Sequence, residues 1–348
     1  MKAAVIGTGL IASTHAAAIR SLGHSVELVV GHSLTQAEKF AGAWDCPRFA
    51  DHLTPELLDG VDCVHICTPP ETHGTFVRQC IAAKKSLLCE KPLSLSAAEA
   101  AQLAELAEQS GVLAAVNYNN RFYPACARVR DEVERMDRVV LVQGHYRQEF
   151  HILPAPYSWR YREELRAATE IGSHFIDLMR YLTGQEVEAV SASFLNATPR
   201  RFLRDGMMYP DGEGTPVAVS SEDAVAATFR LAGGGLAAAV FSEISPGRSN
   251  DLSMEISSPE ASVSWCSERP YEVVTGRKEI GLTRWCGAFA GGFTDTFRDS
   301  FAAFYEAAET GRRDIRLAGF RDGAVNAAIC AAMAASARSG GNFQEVSL

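Results

Sequence analysis

Short apolar runs, each broken by a turn and followed by helical periodicity, repeat along the first third of the chain. Ala3-Ala4-Val5-Ile6 reads as a buried strand, and after Gly7-Thr8-Gly9 a helical run continues to Leu22. Val26 to Val30 predicts a second strand, and Thr35 with Glu38 offers a capping box for the helix beyond it. Asp62 to Thr68 predicts another buried strand, closed by Pro69-Pro70, with Glu71, Thr72 and His73 opening a helix to about Lys84. Leu87-Leu88-Cys89 then runs straight into Glu90-Lys91-Pro92, as a buried parallel strand does where it emerges at its carboxyl end. A helix capped by Ser96 and Glu99 and a strand from Val112 to Asn117 complete the series. Strands alternating with helices predict an α/β, doubly wound parallel sheet over residues 1–120.

Beyond Arg121 the pattern changes. Cys126 to Met136 is helix-like, and Val139 to Tyr146 alternates, which suggests a sheet with one wet face. Residues 169–183 read as a helix closed by Gly184, with Phe175, Leu178, Met179 and Leu182 on one face. Glu170, His174, Asp177 and Tyr181 line up on the other face at spacings of three and four. Ala224 to Leu231, Leu236 to Glu243, Leu252 to Ser257 and Ser262 to Cys266 predict strands, and helices from Phe293 to Glu309 and Phe320 to Ser336 finish the chain. Arg200 to Pro216, with glycine, proline, charge and little periodicity, is expected to be a mobile loop. The change of pattern divides the chain into two expected domains, a dinucleotide-binding domain over 1–122 and a strand-rich second domain over 123–348.

Composition narrows the classes of function. The 348 residues are long enough for two cores, and 47% hydrophobic with 22% charged residues is an ordinary globular balance. No run approaches the roughly 18 apolar residues of a membrane span, and the stretch after Met1-Lys2 is too short for a secretory h-region, so a cytoplasmic protein without a membrane partner is expected. A net charge of −9 and no Lys/Arg cluster argue against a nucleic-acid partner. Nine scattered cysteines, without a Cys-x-x-Cys pair, fit reduced buried thiols and no metal site.

Candidate chemistry follows the predicted strand ends. Gly7 permits a tight turn, Gly9 lets backbone approach a pyrophosphate, Ala12 allows close packing, and the helix N-terminus offers N–H groups to phosphates. No acid stands at the end of the second strand to hold ribose hydroxyls. His32 and Ser33 are placed to take a 2′-phosphate instead, which favours NADP slightly over NAD, although a solvated loop histidine is an equally simple reading. The turn at Thr68, Pro69 and His73 is expected beside the nicotinamide ribose. Lys91, steadied by Glu90, is placed to give a proton or a positive field to a bound oxygen; a solvated Lys–Glu pair is the plainer alternative. Trp159 and Arg160 close a proline-punctuated aromatic loop suited to stacking on a sugar ring, or to core packing. The stripe through Glu170 and His174 is either a solvated face or a titrating site.

Gly7-Thr8-Gly9-Leu10-Ile11, Thr68-Pro69-Pro70, Glu90-Lys91-Pro92 and Asn119-Asn120-Arg121-Phe122, in that order, resemble the Gfo/Idh/MocA family of sugar and cyclitol oxidoreductases. The resemblance continues through Trp159-Arg160, Ile171-Gly172-Ser173-His174 with Asp177, Glu222-Asp223 and Gly247-Arg248-Ser249-Asn250. It implies a Rossmann dinucleotide-binding domain over 1–122, a substrate-binding and oligomerisation domain over 123–348 with a large, mostly antiparallel sheet, a nicotinamide cofactor, and a homodimer or homotetramer built through that sheet. It adds Leu10, Ile11 and Asn119 to the cofactor set, implies a cis Lys91-Pro92 bond, and aligns His174 with the general base. Arg121, Tyr146, Trp159, Arg160 and Asp177 become the expected substrate-binding residues. Glu170, expected to orient and tune His174 as the third catalytic residue beside Lys91, stands where the family usually has aspartate, which is a departure. The activity implied is NAD(P)-dependent hydride transfer at a ring hydroxyl or ketone of a sugar, anhydrosugar or cyclitol. A redox-neutral, NAD-dependent glycoside-cleaving enzyme and a non-catalytic nucleotide-binding homologue are the alternatives.

Overall fold

The computed structural model describes residues 1–161, 165–287 and 291–348, except for the Trp159 side chain. It divides into two compact units, Met1–Tyr123 with Gly291–Ala327 and Leu348, and Pro124–Ala290 with Ala328–Ser347.

The first unit carries β1 (Lys2–Ile6), α1 (Leu10–Ser21), β2 (Ser25–Val30), α2 (Leu34–Ala43), β3 (Arg48–Ala50), β4 (Cys63–Ile66), α3 (His73–Ala82), β5 (Ser86–Cys89), α4 (Ala97–Ser110) and β6 (Ala114–Val116). Its parallel strands lie in the order β3-β2-β1-β4-β5-β6, the doubly wound arrangement. Successive residues of each strand feed different cores, because side chains alternate across a sheet. Ala4 and Ile6 join Leu28, Val64, Ile66 and Leu87 in one core, while Ala3 and Val5 join Val29, Cys63 and Leu88 in the other. Both faces are covered, so these strands read as apolar runs. The capping box expected at Thr35 and Glu38 is displaced: Ser33 caps α2, its Oγ accepting from the Gln36 N–H at 3.4 Å. The short β3 is an addition that its three residues were too few to announce.

The second unit carries α5 (Pro124–Glu134), β7 (Leu141–Arg147), β8 (Ala155–Pro156), α6 (Ser173–Thr183), β9 (Val187–Leu195), β10 (Arg200–Arg204), β11 (Met207–Tyr209), β12 (Thr215–Ala218), β13 (Ala224–Leu231), β14 (Leu236–Ser242), β15 (Asp251–Ser257), β16 (Ala261–Cys266), β17 (Glu272–Arg277), β18 (Gly281–Cys286) and β19 (Gln344–Glu345). Nine strands form one sheet in the order β18-β17-β16-β15-β7-β14-β13-β9-β19, antiparallel except where β14 runs parallel to β7. Helices α5 and α6 pack on one face of it. At Gly144 of β7 an added Cβ would lie 2.6 Å from the Phe175 ring, so the missing side chain lets α6 close onto the sheet.

Residues 200–216 are not a mobile loop, contrary to expectation. Strands β12-β10-β11-β8 make a second sheet, and Asp205 and Gly206, at φ +51° and +76°, form the two-residue turn of its hairpin. Wholly buried Arg201 anchors it by donating to the carbonyls of His151 and Leu153. The helix expected over 169–183 also differs. A π-helical turn, Ala168–Gly172, leads into α6, and every residue from Ser173 to Leu182 is buried, so the polar stripe is no solvated face.

Two C-terminal helices close the structure, α7 (Phe293–Thr310) and α8 (Phe320–Arg338). Residues 291–327 belong to the first unit, so the expected second domain, 123–348, is interrupted. The reason is aromatic burial: Phe297, Phe301 and Phe304 complete one core of the Rossmann sheet, and Phe320 with Ala324 joins the other. Among the described residues no helix is long and apolar enough to cross a membrane.

Candidate active site

In the first unit the chemistry sits where parallel strands end. Gly7 leaves β1 at φ +117°, and a Cβ there would come within 2.6 Å of the Cys67 carbonyl oxygen, so only glycine makes the turn. Gly9 is the N-cap of α1, no side chain caps that helix, and a Cβ on Gly9 would meet nothing within 4 Å. Backbone N–H groups and clear space beside them suit a pyrophosphate. Leu10 follows at 89% exposure, and Ile11 is half-buried. His32 is exposed, and Ser33 is half-buried with its hydroxyl used in the α2 cap.

His73 acts as a pin between two turns. Its Nδ1 lies 2.9 Å from the Pro92 carbonyl oxygen and its Nε2 2.9 Å from that of Thr68. Burial pulls its pKa down against the pull of those two carbonyls. Thr68 and Pro69 are thereby tied to the Lys91-Pro92 turn, whose peptide bond is cis. Lys91 is half-buried at the end of β5, and its N–H donates to Glu90 Oε2 at 3.2 Å. Asn119 donates through Nδ2 to Thr296 Oγ1 at 2.7 Å, and the buried Arg121 pairs with Asp322 at 3.3 Å. Thr296 and Asp322 come from the returning C-terminal segment, a partnership that local sequence does not announce.

In the second unit the residues from the polar stripe are buried together. Glu170 and His174 are each 8% exposed and Asp177 1%. The Tyr146 ring centroid lies 6.1 Å from that of His174, and the Tyr146 hydroxyl donates to Asn250 Oδ1 at 2.5 Å. Arg160 donates through Nε to Glu170 Oε2 at 2.9 Å. Trp159 holds a place in the short turn Trp159–Tyr161, but its side chain lies outside the described residues. A buried imidazole beside a phenol, with carboxyl groups on the same helix, is an arrangement that can move a proton.

A charged cluster at the start of this helix was only partly legible in the sequence. Glu222 accepts N–H bonds from Arg166 at 3.0 Å and Ala168 at 2.8 Å, capping the π-helical turn. Arg166, only 1% exposed, pairs with Asp223 at 2.5 Å and with Glu243 at 3.1 Å. Burial pushes the Glu243 carboxyl up to about 7, against the opposing pull of Arg166. Glu222 and Asp223 are visible as a motif, whereas the only signal for Glu243 is an acid directly beyond the apolar run of β14. Arg166 gives none.

Comparison with known proteins bears on both units. Residues 1–118 match the model described as the oxidoreductase family, NAD-binding Rossmann fold, and residues 130–264 match the Gfo/Idh/MocA C-terminal domain. Levoglucosan dehydrogenase of Pseudarthrobacter phenanthrenivorans is 29% identical over 221 residues, 60% of this chain and 56% of that protein. Inositol 2-dehydrogenase of Rhizobium meliloti is 29% identical over 193 residues, 54% of this chain and 57% of that protein. The matched segments thus span little more than half of these relatives' own length. A solved structure of levoglucosan dehydrogenase in complex with NADH and L-sorbose superposes with a TM-score of 0.91 at 23% identity, covering 100% of this chain and 99% of that one, a likeness of fold. With its dinucleotide cradle and its large sheet domain each matched in turn, the chain belongs to the Gfo/Idh/MocA oxidoreductase family.

Proposed function

We propose that this protein is an NAD(P)-dependent oxidoreductase that moves a hydride between the nicotinamide and a ring carbon of a sugar, anhydrosugar or cyclitol. The observation that carries the reading is the buried helix α6, which holds His174 beside Tyr146 and keeps Asp177 out of water where a surface helix would expose both. The dinucleotide is held by the Gly7–Gly9 turn, Leu10, Ile11, the Thr68-Pro69 turn and Asn119, and its nicotinamide supplies or accepts the hydride. His174 takes or returns the hydroxyl proton, and Lys91 stabilises the developing alkoxide. Glu170 orients and tunes His174 and also accepts from Arg160, which with Arg121, Tyr146, Trp159 and Asp177 positions the substrate. A panel of sugars, anhydrosugars and cyclitols, followed through the absorbance of the reduced nicotinamide, tests this. Cofactor reduction matched by substrate oxidation supports it, whereas release of free sugar from a glycoside without net cofactor reduction assigns the redox-neutral chemistry.

The cofactor reading is more specific. The end of β2 carries Gly31, His32 and Ser33 and no carboxylate, so nothing there repels a 2′-phosphate. NADP(H) is therefore expected to bind at least as tightly as NAD(H) in calorimetric titrations. A clear preference for NAD(H) that Ser33→Ala leaves unaltered sinks this expectation.

Assembly follows from the open face of the nine-stranded sheet. Leu236 and Val240 of β14 are 42% and 46% exposed, and Val240 is flanked by Ala226 on β13 and His145 on β7. Apolar side chains in the middle of a broad sheet favour a second copy over water, so a homodimer or homotetramer joined through this unit is expected. Light scattering at micromolar concentration checks it, and a mass of 37.6 kDa, that of one chain, contradicts it.

A further inference from the structure

Behind the strand end that carries Lys91 lies a row of polar side chains within the apolar core of the first unit. His15 of α1 and His65 of β4 face each other through their Nδ1 atoms at 3.0 Å. His15 Nε2 lies 2.8 Å from Glu90 Oε1, and His65 Nε2 lies 2.8 Å from the hydroxyl of Tyr305 on α7. Asn117 donates to the same Glu90 oxygen at 2.6 Å, which leaves Oε2 for the Lys91 N–H. Both histidines are 0% exposed, Glu90 is 7%, Asn117 1% and Tyr305 2%. The Phe301 ring stands edge-on to both imidazoles, at 4.6 Å and 4.8 Å between centroids.

A contact between two ring nitrogens needs one donor and one acceptor, so the row has a direction. Burial opposes the charge on Glu90, but His15, Asn117 and Lys91 together hold its carboxyl below the usual range, and an ionised carboxylate only accepts. His15 Nε2 therefore bears a proton. Burial holds His65 well below its ordinary value, so it is neutral. The nearby ammonium of Lys91 already opposes the Glu90 charge, and a second buried cation would add a desolvation penalty. The arrangement that satisfies every polar atom without one runs a single way, from Tyr305 O–H to His65 Nε2, from His65 Nδ1–H to His15 Nδ1, and from His15 Nε2–H to Glu90.

We propose that His65 and His15 are positioning residues for Lys91, this one-way row fixing the Glu90 carboxylate from behind and with it the backbone from which the lysine projects. The proposal rests on the reading of Lys91 as a group that works on the substrate oxygen. It also gives the return of α7 a purpose, since Tyr305 starts the row. A small displacement of a reacting group can cost up to about 100-fold in rate, so loss of the row is read in turnover and not in binding.

Two measurements test it. Nitrogen-15 spectra of histidine-labelled protein at pH 7.5 are expected to show His65 as the neutral Nδ1–H tautomer and His15 as the neutral Nε2–H tautomer. A doubly protonated His15, or His65 protonated on Nε2, overturns the row whether or not a substrate is in hand. In kinetics, His65→Leu is expected to lower kcat roughly 10- to 100-fold with cofactor Kd within about twofold of the parent. His65→Asn, which keeps a donor toward His15, is expected to recover most of that loss. Tyr305→Phe, a gentler change that takes the donor from His65 Nε2, is expected to keep the His65 Nδ1–H tautomer, because His15 Nδ1 still accepts from it, and to lower kcat in the same direction. If Lys91→Ala abolishes turnover while His65→Leu and Tyr305→Phe keep the parent kcat, the positioning role is wrong and the reading of Lys91 survives. If Lys91→Ala is fully active on every accepted sugar, it is that reading which fails, and the spectra still decide the direction of the row.

Discussion

Lys91→Ala and His174→Ala are each expected to lower turnover on the accepted sugar by about 10²–10⁴-fold, the range in which a positioned acid or base contributes. The two residues are held in different ways, and that shapes the kinetics. Lys91 stands on a turn pinned by His73 and Glu90 in the dinucleotide-binding unit, so its loss is expected to disturb cofactor affinity as well as rate. His174 belongs to a buried helix of the other unit, so His174→Ala should leave cofactor binding near the parent value and lower kcat, as expected for a group acting on the proton alone. Glu170→Gln removes the carboxylate four residues before His174 and loosens Arg160, so it should slow turnover and move the pH optimum, whereas Glu170→Asp should keep substantial activity. A His174→Ala enzyme that oxidises every accepted sugar at the parental rate refutes the assignment. Unchanged pH–rate profiles in both Glu170 variants would reduce that residue to a structural partner of Arg160.

What the sequence made legible was the part in which each strand carries its own signal. β1, β4 and β5 are buried on both faces, so they read as apolar runs ended by glycine, proline or a Glu-Lys pair. The dinucleotide cradle was legible for the same reason, a glycine turn directly after the first strand. Elsewhere the deciding information was non-local. An amphipathic pattern shows that α7 has an apolar face but not which core receives it, and Phe297, Phe301 and Phe304 pack under strands from the first third of the chain, Ala3 to Ala115. The π-helical turn over Ala168–Gly172 inserts a residue that a 3.6-residue period cannot register, so the spacing from Glu170 to His174 read as a plain helical turn. Asp205-Gly206 was a hairpin signal hidden by the surrounding charge and glycine. His15 and His65 gave only faint cues, a histidine in an alanine-rich helix and another inside an apolar strand, because a buried polar row depends on partners that the linear order keeps apart.

Arg166→Met is expected to destabilise the second unit by about 3–5 kcal/mol, the cost of leaving buried acids without their cation. Arg166 is 1% exposed and Asp223 0%, so water does not replace the lost partner. Asp223 still accepts N–H bonds from Ala197 at 2.6 Å and Thr198 at 2.8 Å, but the loss of its buried guanidinium partner is the main penalty. Glu243 answers differently. Its carboxyl, raised by burial to about 7 even with Arg166 beside it, takes a proton more readily once the guanidinium is gone. An acid whose folded pKa is raised loses stability as pH climbs from its unfolded value, about 4.3, to its folded one. In the parent that loss ends near pH 7; in Arg166→Met it continues above, so the deficit should be larger at pH 9 than at pH 6. Thermal unfolding at both values is the measurement, and a fall of roughly 10 °C at pH 7 corresponds to the stated energy for a unit of this size. Adding Asp223→Asn removes the stranded charge while keeping an oxygen for the Ala197 and Thr198 N–H groups, and should recover part of the loss. A single variant that melts within about 2 °C of the parent at both pH values would mean that the cluster is held by its backbone hydrogen bonds and not by the buried arginine.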